Sequence, residues 1–255
     1  GTEIKKIGDG VFEDLDITEV ILPDSVNEIG NYSFRNCTKL KTVFGRNVKV
    51  VGEYSFYNCD WLKNVFFLSD LESIGKFSFY NVGNRQNIFT GATFTLRLSK
   101  LKVMPDGAFS KSAISYIQLG ELTSIGATSF RDCNQLVNVN IDYLSNMPDG
   151  CFKGCASLIY VNISGLAYIP SGAFSCCESL LTASFPDAKY IFSNAFESCV
   201  SLSEINLPLA KTVYSNAFNG CDSLTVLNLP EMTGFEDDVY IKSDLRVYFP
   251  SNLER

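Results

Sequence analysis

A phenylalanine returns along this chain at Phe12, Phe34, Phe56, Phe79, Phe109, Phe130, Phe152, Phe174, Phe196 and Phe218, in steps of 22, 22, 23, 30, 21, 22, 22, 22 and 22 residues. Around it the same apolar skeleton recurs. Ala195, Phe196, Cys199, Leu202, Ile205, Leu207 and Pro208 are followed 22 residues later by Ala217, Phe218, Cys221, Leu224, Leu227, Leu229 and Pro230. A unit of this length buries its apolar side only against its neighbours, so the period specifies a stacked solenoid. The core of such a stack grows along its axis. The 255 residues, 46% of them hydrophobic, are therefore expected to form one domain of about ten repeats spanning 1–255.

Further columns align on the Phe. Five residues before it stand Ile7, Ile29, Val51, Ile74, Met104, Ile125, Met147, Ile169, Ile191 and Val213, often followed by Gly or Pro, which reads as a turn or the start of a short helical turn. Three residues after most of the Phe comes a Cys, placing Phe and Cys on one face of a helical or 3-10 turn. The period then changes to two: Leu202, Ile205 and Leu207 point one way, Glu204 and Asn206 the other, which is a strand. Equivalent strands are expected from Ile17–Leu22 through Asp244–Phe249, pairing in parallel. The fold class is α/β: a single solenoid with a concave parallel sheet and short helical or 3-10 turns on the convex side.

Two places break the period. The long step between Phe79 and Phe109 implies an insertion loop at 83–91, and 235–255 keeps a strand but loses the Phe-and-Cys turn, as a degenerate C-terminal cap would. Gly1 has the look of a tag remnant and the chain opens in mid-repeat, which reads as a piece cut from a longer protein.

Several functions are disfavoured on composition. A net charge of −7 with scattered Lys and Arg offers no basic stripe for nucleic acid or anionic membrane. No run approaches the roughly 20 apolar residues of a membrane span. Without His, neither a Ser-His-Asp nor a Cys-His arrangement can be built, so no enzyme is expected. Seven of the nine Cys share one apolar column and read as buried free thiols, with Cys151 and Cys176 also assigned to packing; no four-ligand metal set emerges and no cofactor is implied.

Function is left to the outward strand positions. One outward column contains Phe44, Phe66 and Arg97, then the amides Asn140, Asn162, Asn206 and Asn228; the other contains Tyr116 and Tyr160. Two readings are open. Stacked amides and rings cover the sheet structurally, or they form a face for a protein or glycan ligand, or for a second copy of the chain, with Phe44, Phe66 and Arg97 as a contiguous strip under the insertion loop.

The pattern I-G-x-x-A-F-x-x-C-x-x-L-x-x-V-x-L-P, carried almost position for position by Phe130–Asp142, Phe152–Ser164, Phe196–Pro208 and Phe218–Pro230, resembles the BspA-like, Treponema-type branch of leucine-rich repeats. Val82 and Ser112 stand where two rungs lack the Cys. The resemblance implies a secreted or cell-surface module engaged in adhesion and protein–protein interaction. A structural spacer of a larger surface protein is the alternative, and a carbohydrate-binding module using Tyr116, Tyr160 and the amide row is a third.

Overall fold

The computed structural model describes residues 3–65, 67–84, 94–120, 122–235 and 245–248. They fall into two compact units, Gly1–Cys133 and Asn134–Arg255. Each is a stack of coils, a parallel β-solenoid.

In the first unit the period-two segments form strands Glu19–Ile21, Thr42–Phe44, Asn64–Val65, Phe94–Leu98 and Ile114–Leu119. In the second they form Asn138–Ile141, Tyr160–Ile163, Thr182–Ser184, Glu204–Asn206, Val226–Asn228 and Arg246–Tyr248. Successive rungs pair in parallel with like positions opposed: Glu19 with Thr42, Thr42 with Asn64, Asn138 with Tyr160, Tyr160 with Thr182. Val43, Val139, Val161 and Leu227 are buried while their strand neighbours face out, as the alternation requires. The strands are shorter than their sequence pattern because the leading Leu still belongs to the preceding turn. The Leu40 N–H, for instance, donates to the Cys37 carbonyl at 3.0 Å.

A second strand column was not foreseen. The Ile and Val column lies in two-residue strands, including Lys6–Ile7, Glu28–Ile29, Val50–Val51 and Ser73–Ile74 in the first unit and Tyr168–Ile169, Tyr190–Ile191, Thr212–Val213 and Gly234–Phe235 in the second. These also pair in parallel between rungs. The Gly that follows allows backbones to approach closely: a Cβ on Gly52 would lie 2.6 Å from the Asn31 nitrogen.

The expected helical or 3-10 convex side is corrected by the structure. Among the described residues the sole helical element is the 3-10 turn Leu68–Asp70, which lies after a strand and away from the Phe. The reason is backbone conformation. Two residues before and two after the Phe, φ is positive: Tyr32 and Asn36 flank Phe34, Tyr54 and Asn58 flank Phe56, Gly172 and Cys176 flank Phe174. Left-handed residues at that spacing cannot continue a right-handed helix. The N–H groups therefore point along the stack and donate to the next rung, as from Gly10, Phe12 and Asp14 to the carbonyls of Asn31, Ser33 and Arg35 at 2.8–2.9 Å. Phe and Cys still share a face, joined by a bond from the Cys37 N–H to the Phe34 carbonyl at 3.1 Å.

The Phe column forms the core. In the first unit Phe12, Phe34, Phe56, Phe79 and Phe109 stack at 5.1–5.2 Å with planes within 15°. In the second, Phe152, Phe174, Phe196 and Phe218 stack at 5.4–5.5 Å. One ring per rung at the coil spacing makes each rung depend on its immediate neighbours.

Of the two breaks in the period, only Gly83 and Asn84 of the insertion are described; 85–91 lie outside the described residues. In the terminal repeat, Arg246–Tyr248 pairs with Val226–Asn228, so the expected strand is there. The segments 236–244 and 249–255 also lie outside the described residues.

Candidate functional site

The outward strand positions divide by unit. In the first, Ile21 is 73% exposed and Phe44, opposite it on the next strand, 38% exposed. Together with Glu19, Leu22, Asp24, Gly45, Arg46 and Asp70 they line a depression of about 810 Å³. Its floor is apolar and its rim charged. The Arg46 guanidinium stands 3.8 Å from the Asp24 carboxylate, and Lys100 holds Asp70 at 2.8 Å. Both pairs are well exposed and add little to stability; their charges remain available to a partner.

Phe66, expected to continue this strip, lies outside the described residues. Arg97 is exposed on Phe94–Leu98, but among the described residues no ladder joins that strand to Asn64–Val65. The 3-10 turn Leu68–Asp70 occupies the chain between them and is tied to the next rung by the Ser99 hydroxyl, which donates to the Ser69 carbonyl at 3.0 Å. Tyr116 is exposed on Ile114–Leu119, in the same unit.

The second unit presents amides and hydroxyls. Asn162 donates from Nδ2 to Asn140 Oδ1 at 2.7 Å, a rung-to-rung amide bond of the kind the structural reading expected. Asn206 makes a longer contact with the Ser184 hydroxyl, at 3.4 Å. Tyr160, Asn206 and Asn228 are exposed.

A polar column that the strand-face reading overlooked runs through the turns of the first unit. Asn36 donates to Asp14 at 2.9 Å, Asn58 to Asn36 at 3.1 Å and Asn81 to Asn58 at 3.2 Å, each side chain carried by a positive-φ residue. Every donor points toward the N-terminus, so a carboxylate, which can only accept, suits the last place. Beside it Tyr32, Tyr54 and Phe77 stack at 5.4 and 5.2 Å, with Arg35 over Tyr32 at 5.5 Å. The excess of Asn, Asp and Gly two residues from the Phe was the available signal.

None of the nine cysteines is in a disulfide, and all but Cys176 are buried; Cys176, expected to pack inside, is half-exposed at a positive-φ turn position. The column thiols are also more than small apolar fillers. Cys59, Cys133, Cys177, Cys199 and Cys221 each donate from Sγ to the Phe carbonyl of the preceding rung at 3.0–3.3 Å. Ser112 makes the same bond to the Phe79 carbonyl. Burial pushes the Cys133 thiol up to about 12 and Cys37 up to about 11, leaving them protonated and unreactive at neutral pH.

The family model described as BspA type leucine rich repeat region, in six copies, matches residues 5–97 and 102–225. The chain belongs to the BspA-type leucine-rich repeat family. A leucine-rich repeat protein from Bacteroides ovatus is similar in structure, with a TM-score of 0.65 at 26% identity over 96% of this chain and 69% of its own. Another from Eubacterium ventriosum gives 0.57 at 20% identity over 100% and 84%. A leucine rich cell surface protein from Faecalibacterium prausnitzii gives 0.42 at 21% identity over 91% and 83%. No curated protein matches. In this BspA-type chain the Phe, Cys, Leu and Ile columns of the repeat are buried. Such solenoids are binding scaffolds, generally for proteins, and no enzyme family is indicated. No described helix is long and apolar enough to cross a membrane.

Proposed function

We propose that this BspA-type module is a non-catalytic, extracellular or cell-surface adhesion domain that binds a polypeptide on the strand face of its first unit. The observation that carries this reading is the depression floored by Ile21 and Phe44. The two side chains are exposed on adjacent strands and share the depression with the charged residues Glu19, Asp24, Arg46 and Asp70. Exposed contiguous apolar surface of this kind commonly marks an interaction site, and a buried apolar centre within a polar rim is the usual anatomy of a protein interface.

The test uses a displayed library of random peptides selected on the intact chain. Selected peptides should lose most of their affinity for the Ile21→Ser/Phe44→Ser variant and keep it for a variant altered on the turn side, such as Tyr57→Ser. Equal binding to the double variant would reject this face as the site.

A further inference from the structure

We propose that Tyr143, on the second unit, is the stacking platform of a binding site for a neutral saccharide. This site is independent of the face assigned above. Other positive-φ residues that are not Gly flank a core Phe, where the conformation directs N–H groups to the next rung. Tyr143 (φ 62°) lies outside those two columns and follows the strand Asn138–Ile141. It is 82% exposed, and among the described residues its ring stacks on no other. A bulky residue in the left-handed region is strained, and here no packing accompanies the strain.

The conformation is nevertheless firmly held. The Tyr143 N–H donates to the Ser164 hydroxyl at 3.2 Å, and the Leu144 N–H to the Ser164 carbonyl at 2.9 Å. In the next rung Gly165 (φ 88°) takes the equivalent place, and a Cβ there would lie 3.0 Å from the Tyr143 backbone. The Gly165 N–H is fixed in turn to Asp187 Oδ2 at 2.7 Å. These inter-rung bonds fix a residue whose ring is left exposed instead of packed, which marks it as a candidate binding position.

Tyr143 borders an open depression of about 490 Å³ whose other walls include Ser164, Ala167, Asp187, Lys189 and Leu209. Its chemistry selects the ligand class. An aromatic face and Leu209 offer apolar contact, Asp187 accepts hydrogen bonds, and Lys189 donates them. The two charges are equal and opposite, so an anion meets Asp187 and a cation meets Lys189. A neutral sugar, with one face of C–H groups and a rim of hydroxyls that donate and accept, satisfies all of them together.

Saturation-transfer NMR of the whole chain with a panel of neutral disaccharides (cellobiose, maltose, lactose, chitobiose) at millimolar concentration tests this. At least one should bind saturably, Tyr143→Trp should keep the binding, Lys189→Ala should weaken it, and Tyr143→Gly should reduce it by about tenfold or more. Because Gly relieves the strained φ, Tyr143→Gly should also raise the thermal midpoint, the opposite of what loss of a packing residue does. The proposal is overturned if no disaccharide of the panel saturates, if an arginine-containing dipeptide binds in their place, or if Tyr143→Gly lowers the midpoint or leaves the affinity unchanged.

Discussion

The two units share one apolar frame and differ in what is hung on it. In the first, the position before the core Phe is mostly Ser: Ser33, Ser55 and Ser129 are buried, and each hydroxyl has two carbonyls within reach of its single donor, those of Gly30 and Gly52 for Ser55. In the second, Cys151, Ala173, Ala195 and Ala217 take that place. The first unit adds the Asn ladder, the aromatic stack and inter-rung ion pairs such as Lys6 with Glu28 and Lys39 with Asp16, both at 2.6 Å. The second fills the same turns with Gly154, Cys176, Ser198 and Gly220. The strand faces differ in the opposite sense, apolar at Ile21 and Phe44 and amide-rich at Asn140 and Asn162. A stack of coils thus tolerates either polar or small turn residues, provided the Phe column and the inter-rung backbone bonds are kept.

The largest expected effect should be the same in both units. Phe56→Ala and Phe174→Ala should each cost about 3–5 kcal/mol, from lost burial plus a cavity. Native-state hydrogen exchange should show neighbouring rungs opening before distant ones; uniform loss of protection along a unit would contradict nearest-neighbour stacking.

The ladder should separate the units. Asn58→Ala removes one amide that both donates to Asn36 and accepts from Asn81, and should cost roughly 1–2 kcal/mol in chemical denaturation. Ser198→Ala, at the equivalent place in the second unit, should change stability by less than about 0.5 kcal/mol. Equal losses would mean that the ladder adds nothing specific to the first unit.

The Phe, Cys and alternating strand columns were legible because burial fixes residue type once per rung. The turn geometry was not, because left-handed backbone is carried here by Tyr32, Phe77, Thr128 and Cys176 as well as by Gly and Asn. Inter-rung bonds impose that conformation whatever the side chain, so the residue at any one turn gives no reliable sign of it. The second strand column was hidden for a related reason: two residues such as Val50 and Val51 are too short to display a period. Of the candidate binding residues, Phe44, Arg97, Tyr116 and Tyr160 do face outward, whereas Ile21, which heads the same outward column and is more exposed than Phe44, was not counted among them. Tyr143 belongs to no column, and repeat alignment had nothing to say about it.

A reciprocal exchange at one turn position sharpens this point. Thr128 and Gly150 are equivalent residues of the two units, both at positive φ. Gly150→Thr should destabilise by about 1–2 kcal/mol, and Thr128→Gly should stabilise by a smaller amount, since relief of strain is partly offset by chain entropy. Thermal melts of both variants check the signs.

Smaller still is the effect of Cys177→Ser at neutral pH, under about 1 kcal/mol, because the hydroxyl inherits the Phe152 carbonyl as Ser112 does with Phe79. Alkali should reveal the thiols instead. Their folded pKa values, about 11 for Cys37 and about 12 for Cys133, lie above the ordinary 9.0, so the fold holds these protons more tightly than the unfolded chain. That stabilisation is complete below pH 9 and is lost as the pH rises through 11 and 12. The thermal midpoint should fall over that range, and by less in Cys133→Ser.

The separation of frame from face is tested most directly by the Ile21→Ser/Phe44→Ser variant, measured for unfolding free energy beside Phe34→Ala and for affinity toward peptides selected on the parent chain. The expected result is stability within about 1 kcal/mol of the parent together with a fall in affinity of about tenfold or more. A stability loss matching that of Phe34→Ala, with affinity per folded molecule unchanged, would place both side chains in the frame and contradict the assignment of this face to binding.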